Sequence, residues 1–220
     1  LASDYFLHHN DGSGDWHIKA SHDERNYMDK AKEYGFKLIR EYDQTENTMP
    51  TLDGAKALLE SFIFPTVEFS SNYLDKNHPF ILKVIKKYIF TNEKAQGNVL
   101  AIAEGSGAHS ACFAEFYKNM TFQPSEYEEQ QLKILNDNLK GWSNINSAIQ
   151  VDSSQPEKWN LSSKSFDMIT CFNMIHISPW ECTIGLLKGA TKYLKPDGWL
   201  ITYGPYAIDG KLEPESNVKF

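Results

Sequence analysis

Residues 99–109, Val-Leu-Ala-Ile-Ala-Glu-Gly-Ser-Gly-Ala-His, decide how the chain is read. Val99, Leu100, Ala101 and Ile102 form an apolar run of strand length, Gly105 and Gly107 make a turn, and a helix is predicted from Ser110. In open α/β sheets ligands bind beyond the carboxyl ends of the strands. There a glycine lets the backbone come close to a ligand, and a helix N-terminus offers free N–H groups. Taken alone, this turn fits a nucleoside-cofactor site, a nicotinamide dinucleotide site or a plain tight turn.

The segments on either side settle the class. Downstream, the pattern predicts a helix over 110–118 and a strand over 121–123. A helix follows, opened by Ser125 as N-cap with Glu128 closing a capping box. Leu132, Leu135 and Leu139 form its apolar stripe, and Gly141 ends it. Strands are predicted over 148–151 and 166–172, the latter apolar on both faces as in the middle of a parallel sheet. Ser178-Pro179-Trp180-Glu181 reads as a helix start with Ser178 as N-cap. Leu186, Leu187, Ala190 and Leu194 bury one side of that helix, Pro196-Asp197-Gly198 stops it, and a strand runs over 199–203. Such alternation is the mark of a doubly wound, parallel α/β sheet. Upstream, 80–90 reads as an amphipathic helix, and the organisation changes near Pro65. Residues 65–220 are expected to be the α/β domain and residues 1–64 an α-rich extension, with helices over 24–34 and 52–62.

Composition fits one sizeable core: 41% of the 220 residues are hydrophobic and 23% charged. A net charge of -7 argues against a general nucleic-acid binder. No apolar run is long enough to span a bilayer, and the start has no signal-peptide pattern. Cys112, Cys171 and Cys182 lack metal spacing and read as reduced thiols of an intracellular, cytoplasmic protein. The first residue is not Met and Phe220 closely follows a strand. A C-terminally truncated sheet with an exposed edge is therefore expected.

Four groups carry the chemistry. The turn itself is the first. Glu126, 19 positions after Gly107, stands where nucleoside-binding folds place a carboxylate on ribose hydroxyls, or in the first turn of a helix where the dipole favours it. Asp152, after the third strand, reads as an acceptor for an adenine amino group or as a turn residue. Asn173 and His176, in the loop after the fourth strand, are positioned to hold or deprotonate a nucleophile, or to serve as structural hydrogen-bonders. Trp180, Tyr203 and Tyr206 are candidates for the wall of a substrate pocket.

Residues 72–220 resemble the methyltransferase-like 26 group, a class I methyltransferase family also known as a domain of unknown function. The likeness rests on GSGAH (105–109), FQPSE (122–126), NMIHISPW (173–180), LITYGPYAIDGK (200–211) and ESNVKF (215–220). It implies a Rossmann-like sheet that binds S-adenosyl-L-methionine; it does not supply the methyl acceptor, which is expected to be a small molecule. The cofactor contacts it implies are Ala103, Glu104, Gly105, Ser106, Gly107, His109 and Asn173, with Glu126 on the ribose and Asp152 near the adenine. Independently of the resemblance, His176, with Asn173, is expected to act as the catalytic base or as a substrate clamp, and no metal is expected. Two departures stand out. Ala101 sits where class I enzymes usually have an acid, with Ala103 where a glycine is common, and Glu126 stands where the family usually has Asp. A non-catalytic cofactor-binding scaffold and an NAD-type oxidoreductase are the rival readings.

The extension does not share the resemblance. His8, His9, His17 and His22 match no zinc spacing. Segments 10–15 and 43–53 echo calcium loops faintly. The first has His9 for its leading acid and Ala20 for its closing Glu, and the second is out of register.

Overall fold

The computed structural model describes residues 30–36, 81–82, 85–86, 90, 94–204, 207–208 and 211–212. The histidines of the extension, the calcium-loop echoes, the helix expected over 52–62 and Tyr206 lie outside the described residues.

Five parallel strands form one sheet in the order β3-β2-β1-β4-β5. They are β1 (Gly97–Ile102), β2 (Met120–Glu126), β3 (Ile149–Gln150), β4 (Phe166–Phe172) and β5 (Leu194–Tyr203). Helices α1 (Ala108–Phe116), α2 (Glu129–Asn138) and α3 (Trp180–Tyr193) connect β1 to β2, β2 to β3 and β4 to β5. The doubly wound parallel sheet expected from the sequence is the observed architecture. A short antiparallel pair, β6 (Ala207–Ile208) and β7 (Lys211–Leu212), follows.

The central strands are buried on both faces because each face meets a layer of helices. Leu100, Ile102, Ile169 and Cys171 face α3, whose Leu186, Leu187 and Ala190 fill that side. Val99, Met168 and Phe172 face the opposite layer, where Phe113 and Ala114 of α1 meet Ile81, Leu82 and Ile85. Those last three belong to the helix expected over 80–90. Each fully buried Leu or Ile contributes about 1.5–3 kcal/mol relative to exposure. Among the described residues no helix is long and apolar enough to cross a membrane.

Local expectations fail where a side chain found a better partner. Ser125 caps no helix: it lies in β2, and its hydroxyl donates to the Ala101 carbonyl at 2.7 Å, stitching β2 to β1. β2 is longer than expected, and Pro124, which has no N–H, sits where its outer ladder is interrupted. The Gln123 side-chain amide spans the gap, donating to Pro124 O and Ser147 O. Ser178 also fails as a cap; its hydroxyl is buried without a hydrogen-bond partner, and α3 begins at Trp180. Pro196-Asp197-Gly198 lies in an irregularity within β5, between Leu194 opposite Phe166 and Trp199 opposite Met168.

Helix α3 can pack this closely only because of two glycines. A Cβ on Gly185 would come within 1.9 Å of the Ser153 carbonyl, and one on Gly189 within 2.4 Å of the Trp159 ring. Trp159 stacks on Tyr193 at 5.4 Å, and the Tyr193 hydroxyl donates to the carbonyls of Pro156 and Trp159. Gly185→Ala, which meets backbone rather than a movable side chain, should lower unfolding free energy by about 1–3 kcal/mol. Denaturant titration of the two chains checks this, and equal midpoints would show the packing to be looser than described.

Candidate functional site

The order β3-β2-β1-β4-β5 reverses between β1 and β4: the chain leaves β1 toward β2 and leaves β4 toward β5. The loops after these two strands therefore diverge and leave a crevice at their carboxyl ends, where doubly wound folds bind ligands. The turn of residues 103–107 and the loop of residues 173–179 flank it.

Carboxylates hold the turn from two sides. Gly105 N–H donates to Glu126 Oε2 at 2.8 Å, and Tyr127 N–H donates to Glu126 Oε1 at 2.9 Å. Glu126 is the last residue of β2, not part of a helix, so the dipole alternative for it falls away. Glu104 lies beneath the turn and is 7% exposed; its Oε1 accepts from Ser110 N–H at 2.6 Å. Ser110 is the third residue of α1, so Glu104 supplies the cap that Gly107, at the N-cap position, cannot. Burial pushes the Glu104 carboxyl above its ordinary value, opposed by His109 and the Ser110 hydrogen bond.

The two glycines differ in role. A Cβ on Gly105 would meet nothing within 4 Å, so this is open ground for a ligand; its φ of +62° also favours glycine. A Cβ on Gly107 would strike Leu139 at 2.8 Å and Leu135 at 3.0 Å, so that glycine lets α2 pack against α1. Ala103 has a φ of 54°, a left-handed conformation costing a non-glycine residue roughly 1–2 kcal/mol. Ser106 O accepts from the Asn138 amide at 2.9 Å.

Across the crevice, Asn173 is also left-handed (φ 57°), and its N–H donates to Tyr203 O at 2.6 Å. A Cβ built on Gly204 would lie 3.1 Å from His176 Nδ1 and 3.3 Å from Asn173 Oδ1. The two expected catalytic residues thus converge on one point at the end of β5. Burial lowers the His176 pKa to about 4, so the ring is neutral at physiological pH and can accept a hydrogen bond. His109 packs on Phe172 at 4.7 Å and Phe172 on Tyr203 at 6.4 Å, an aromatic wall crossing from α1 to β5.

Asp152 stands further out with both oxygens engaged. Ser154 N–H and Oγ bond Oδ1, and the Gln155 amide bonds Oδ2. Burial pushes its pKa up, but these bonds and nearby Lys158 outweigh that and hold it below its ordinary value. Trp180 packs on the α3 side of the sheet, whereas Tyr203 packs on the α1 side. The expected aromatic pair is therefore divided by the sheet. Gly204 and Ser125 escaped the sequence reading; TYGPY drew attention to its tyrosines, and Ser125 resembled a helix cap.

The five-strand sheet with its helical layers is the Rossmann-like fold of class I methyltransferases. CurJ carbon methyltransferase superposes with a TM-score of 0.50 at 17% identity, over 60% of this chain and 36% of that one. A SAM-dependent methyltransferase from Aquifex aeolicus gives 0.46 at 15% identity over 57% and 62%. The PH0226 protein from Pyrococcus horikoshii gives 0.47 at 22% identity over 64% and 62%. This chain thus spans about 62% of the length of the latter two proteins. The chain belongs to the family described as a protein of unknown function, DUF938, whose model matches residues 69–220.

Two buried groups give opposite pH signatures. Glu104, with its pKa raised above 4.5, binds its proton more tightly when folded, so its contribution falls as pH rises above 4.5. His176, lowered from 6.5 to about 4, binds its proton more weakly when folded, so its contribution falls as pH drops from 6.5 toward 4. Glu104→Gln should flatten the first slope and His176→Gln the second, read from unfolding free energy against pH. Unchanged slopes would show the two groups to be solvated.

Proposed function

We propose that this chain is an S-adenosylmethionine-dependent methyltransferase of the methyltransferase-like 26 kind, acting on a small-molecule acceptor. The observation that carries the reading is the open ground over Gly105 beside Glu126, at the point where the strand order reverses. A nucleoside cofactor fits this arrangement. The Glu126 carboxylate has lone pairs left for ribose hydroxyls while it fixes Gly105, and the carboxylates of this edge suit a cationic sulfonium. When bound, the cofactor would supply a methyl group primed for in-line transfer.

The chain's own residues supply orientation and a proton acceptor. Asn173 and His176 sit across the crevice from the turn, and neutral His176 would hold the acceptor by a hydrogen bond, or take its proton where binding the acceptor restores the ring's basicity. Asp152, already bonded to Ser154 and Gln155, would present a fixed carboxylate at the adenine end.

Calorimetric titration with S-adenosylmethionine is the first test. Micromolar binding is expected, with none for NAD, and Glu126→Ala should weaken it by about tenfold or more, the worth of a hydrogen bond to a charged group. A folded chain that takes up no S-adenosylmethionine would overturn this reading and favour a non-catalytic member of the fold. Uptake of NAD instead would favour an oxidoreductase.

A further inference from the structure

Residues 30–36, Lys-Ala-Lys-Glu-Tyr-Gly-Phe, lie well ahead of the region 69–220 that matches the family. The helix expected over 24–34 ends in this stretch, with residues 30–33 helical. Its end is a Schellman motif: Gly35 N–H donates to Lys32 O and Phe36 N–H to Ala31 O, both at 2.9 Å. The motif needs a left-handed residue, and Gly35 supplies it with a φ of +83°. A Cβ there would meet nothing within 4 Å, so glycine serves the backbone and not the packing. Such a motif commonly sets an apolar contact between its two ends, here Phe36 and Ala31. Ala31 is 8% exposed in the core cluster that holds Leu187 and Ala190 of α3, and Tyr34 and Phe36 pack against that cluster.

The docking point is the C-terminal end of α3. The Thr191 hydroxyl donates to Tyr34 O at 3.1 Å, sharing its proton with Leu187 O of its own helix at 3.0 Å. The same end of α3 is tied to the turn before β4, where Ser165 N–H donates to Tyr193 O at 3.0 Å and Lys164 N–H to Lys192 O at 3.2 Å. Helix α3 runs from the carboxyl end of β4 to the start of β5, so this junction lies at the amino edge of the sheet, away from the crevice. Short helices are marginal in water unless packing holds an apolar face. For residues 30–36 that packing comes from the α3 cluster.

We infer that the α/β domain takes in residues 30–36 rather than starting near Pro65: this segment is a strap, docked in cis on the C-terminal end of α3, and it unfolds together with the sheet. The region that matches the family is then one part of a larger cooperative unit, and part of the preceding extension has a structural task within it. The strap's hold is specific in kind. It consists of one hydroxyl-to-carbonyl bond from Thr191, the apolar contacts of Ala31, Tyr34 and Phe36, and a backbone turn that glycine fits best.

The test is scanning calorimetry of the full chain and of Gly35→Val, Gly35→Asn, Thr191→Val and the double variant Gly35→Val with Thr191→Val. A β-branched residue is poorly suited to a left-handed turn, whereas asparagine tolerates it. Gly35→Val should lower Tm by about 2–4 °C or more, and Gly35→Asn by less. The double variant should lose less than the sum of the two single losses, because a strap already undone leaves Thr191 no carbonyl across the junction to lose. An unchanged Tm for Gly35→Val, or losses that add in full, would overturn the proposal. Amide exchange on the unaltered chain gives an independent reading. The N–H groups of Gly35 and Phe36 should exchange at least about a hundredfold more slowly than in an open chain, and exchange at the open-chain rate would also overturn it.

Discussion

The turn of residues 103–107 must hold a left-handed alanine, a left-handed glycine over open ground and the start of a helix within five residues. What keeps it in place is a pair of carboxylates reaching it from opposite sides. Glu126 comes from the end of β2 and takes the N–H of Gly105; Glu104 comes from the turn itself and takes the N–H of Ser110. The neighbouring strand completes the frame, since Glu104 N–H donates to Ser125 O and the Ser125 hydroxyl donates to Ala101 O. Strand β2 is therefore part of the site as much as β1, and a shift in its register would move the turn. The strain at Ala103 persists because these bonds over-determine the conformation.

The other half of the crevice depends on packing rather than charge. Helix α3 approaches the segment after β3 so closely that Gly185 and Gly189 admit no side chain. Asn173 is pinned by its bond to Tyr203 O, and His176 is pressed against Gly204, whose missing side chain makes room for the ring. Burial there strips the imidazole of its charge. The same close packing thus places the residue and sets its protonation state.

Much of this was legible in the sequence. Periodicity and glycine placement gave the parallel sheet, because Val99–Ile102 and Phe166–Phe172 are apolar on both faces and only a sheet covered on two sides hides both. What stayed hidden were choices between equally good local partners. Ser125 followed by Glu128 has the letters of a capping box, yet its hydroxyl went to a carbonyl across the sheet, a partner separated by 24 residues. Trp180 and Tyr203 look alike as pocket aromatics, but the sheet lies between them, and which face a residue takes at a helix start is a matter of tertiary packing. Gly107 reads as a ligand-facing glycine until Leu135 and Leu139, on a different helix, are seen to occupy the space beside it.

The departure at Ala101 is easier to understand beside Glu104. Ala101 is 3% exposed in the middle of the sheet, paired with Pro124 on one side and Thr170 on the other. A carboxylate at that position would bury a second charge three residues from the first, and burying a charge is costly unless donors meet it. One helix N-terminus is at hand to meet an acid here, and Glu104 has taken it. The acidic side chain of this segment therefore lies under the turn rather than on the strand, where it caps α1 and is nearly sealed from solvent. A ligand resting over Gly105 would meet Glu126 by contact. Because burial pushes the Glu104 carboxyl above its ordinary value, its part is to hold the turn and the start of α1 rather than to supply charge, and Glu126 is the acid that faces the open ground.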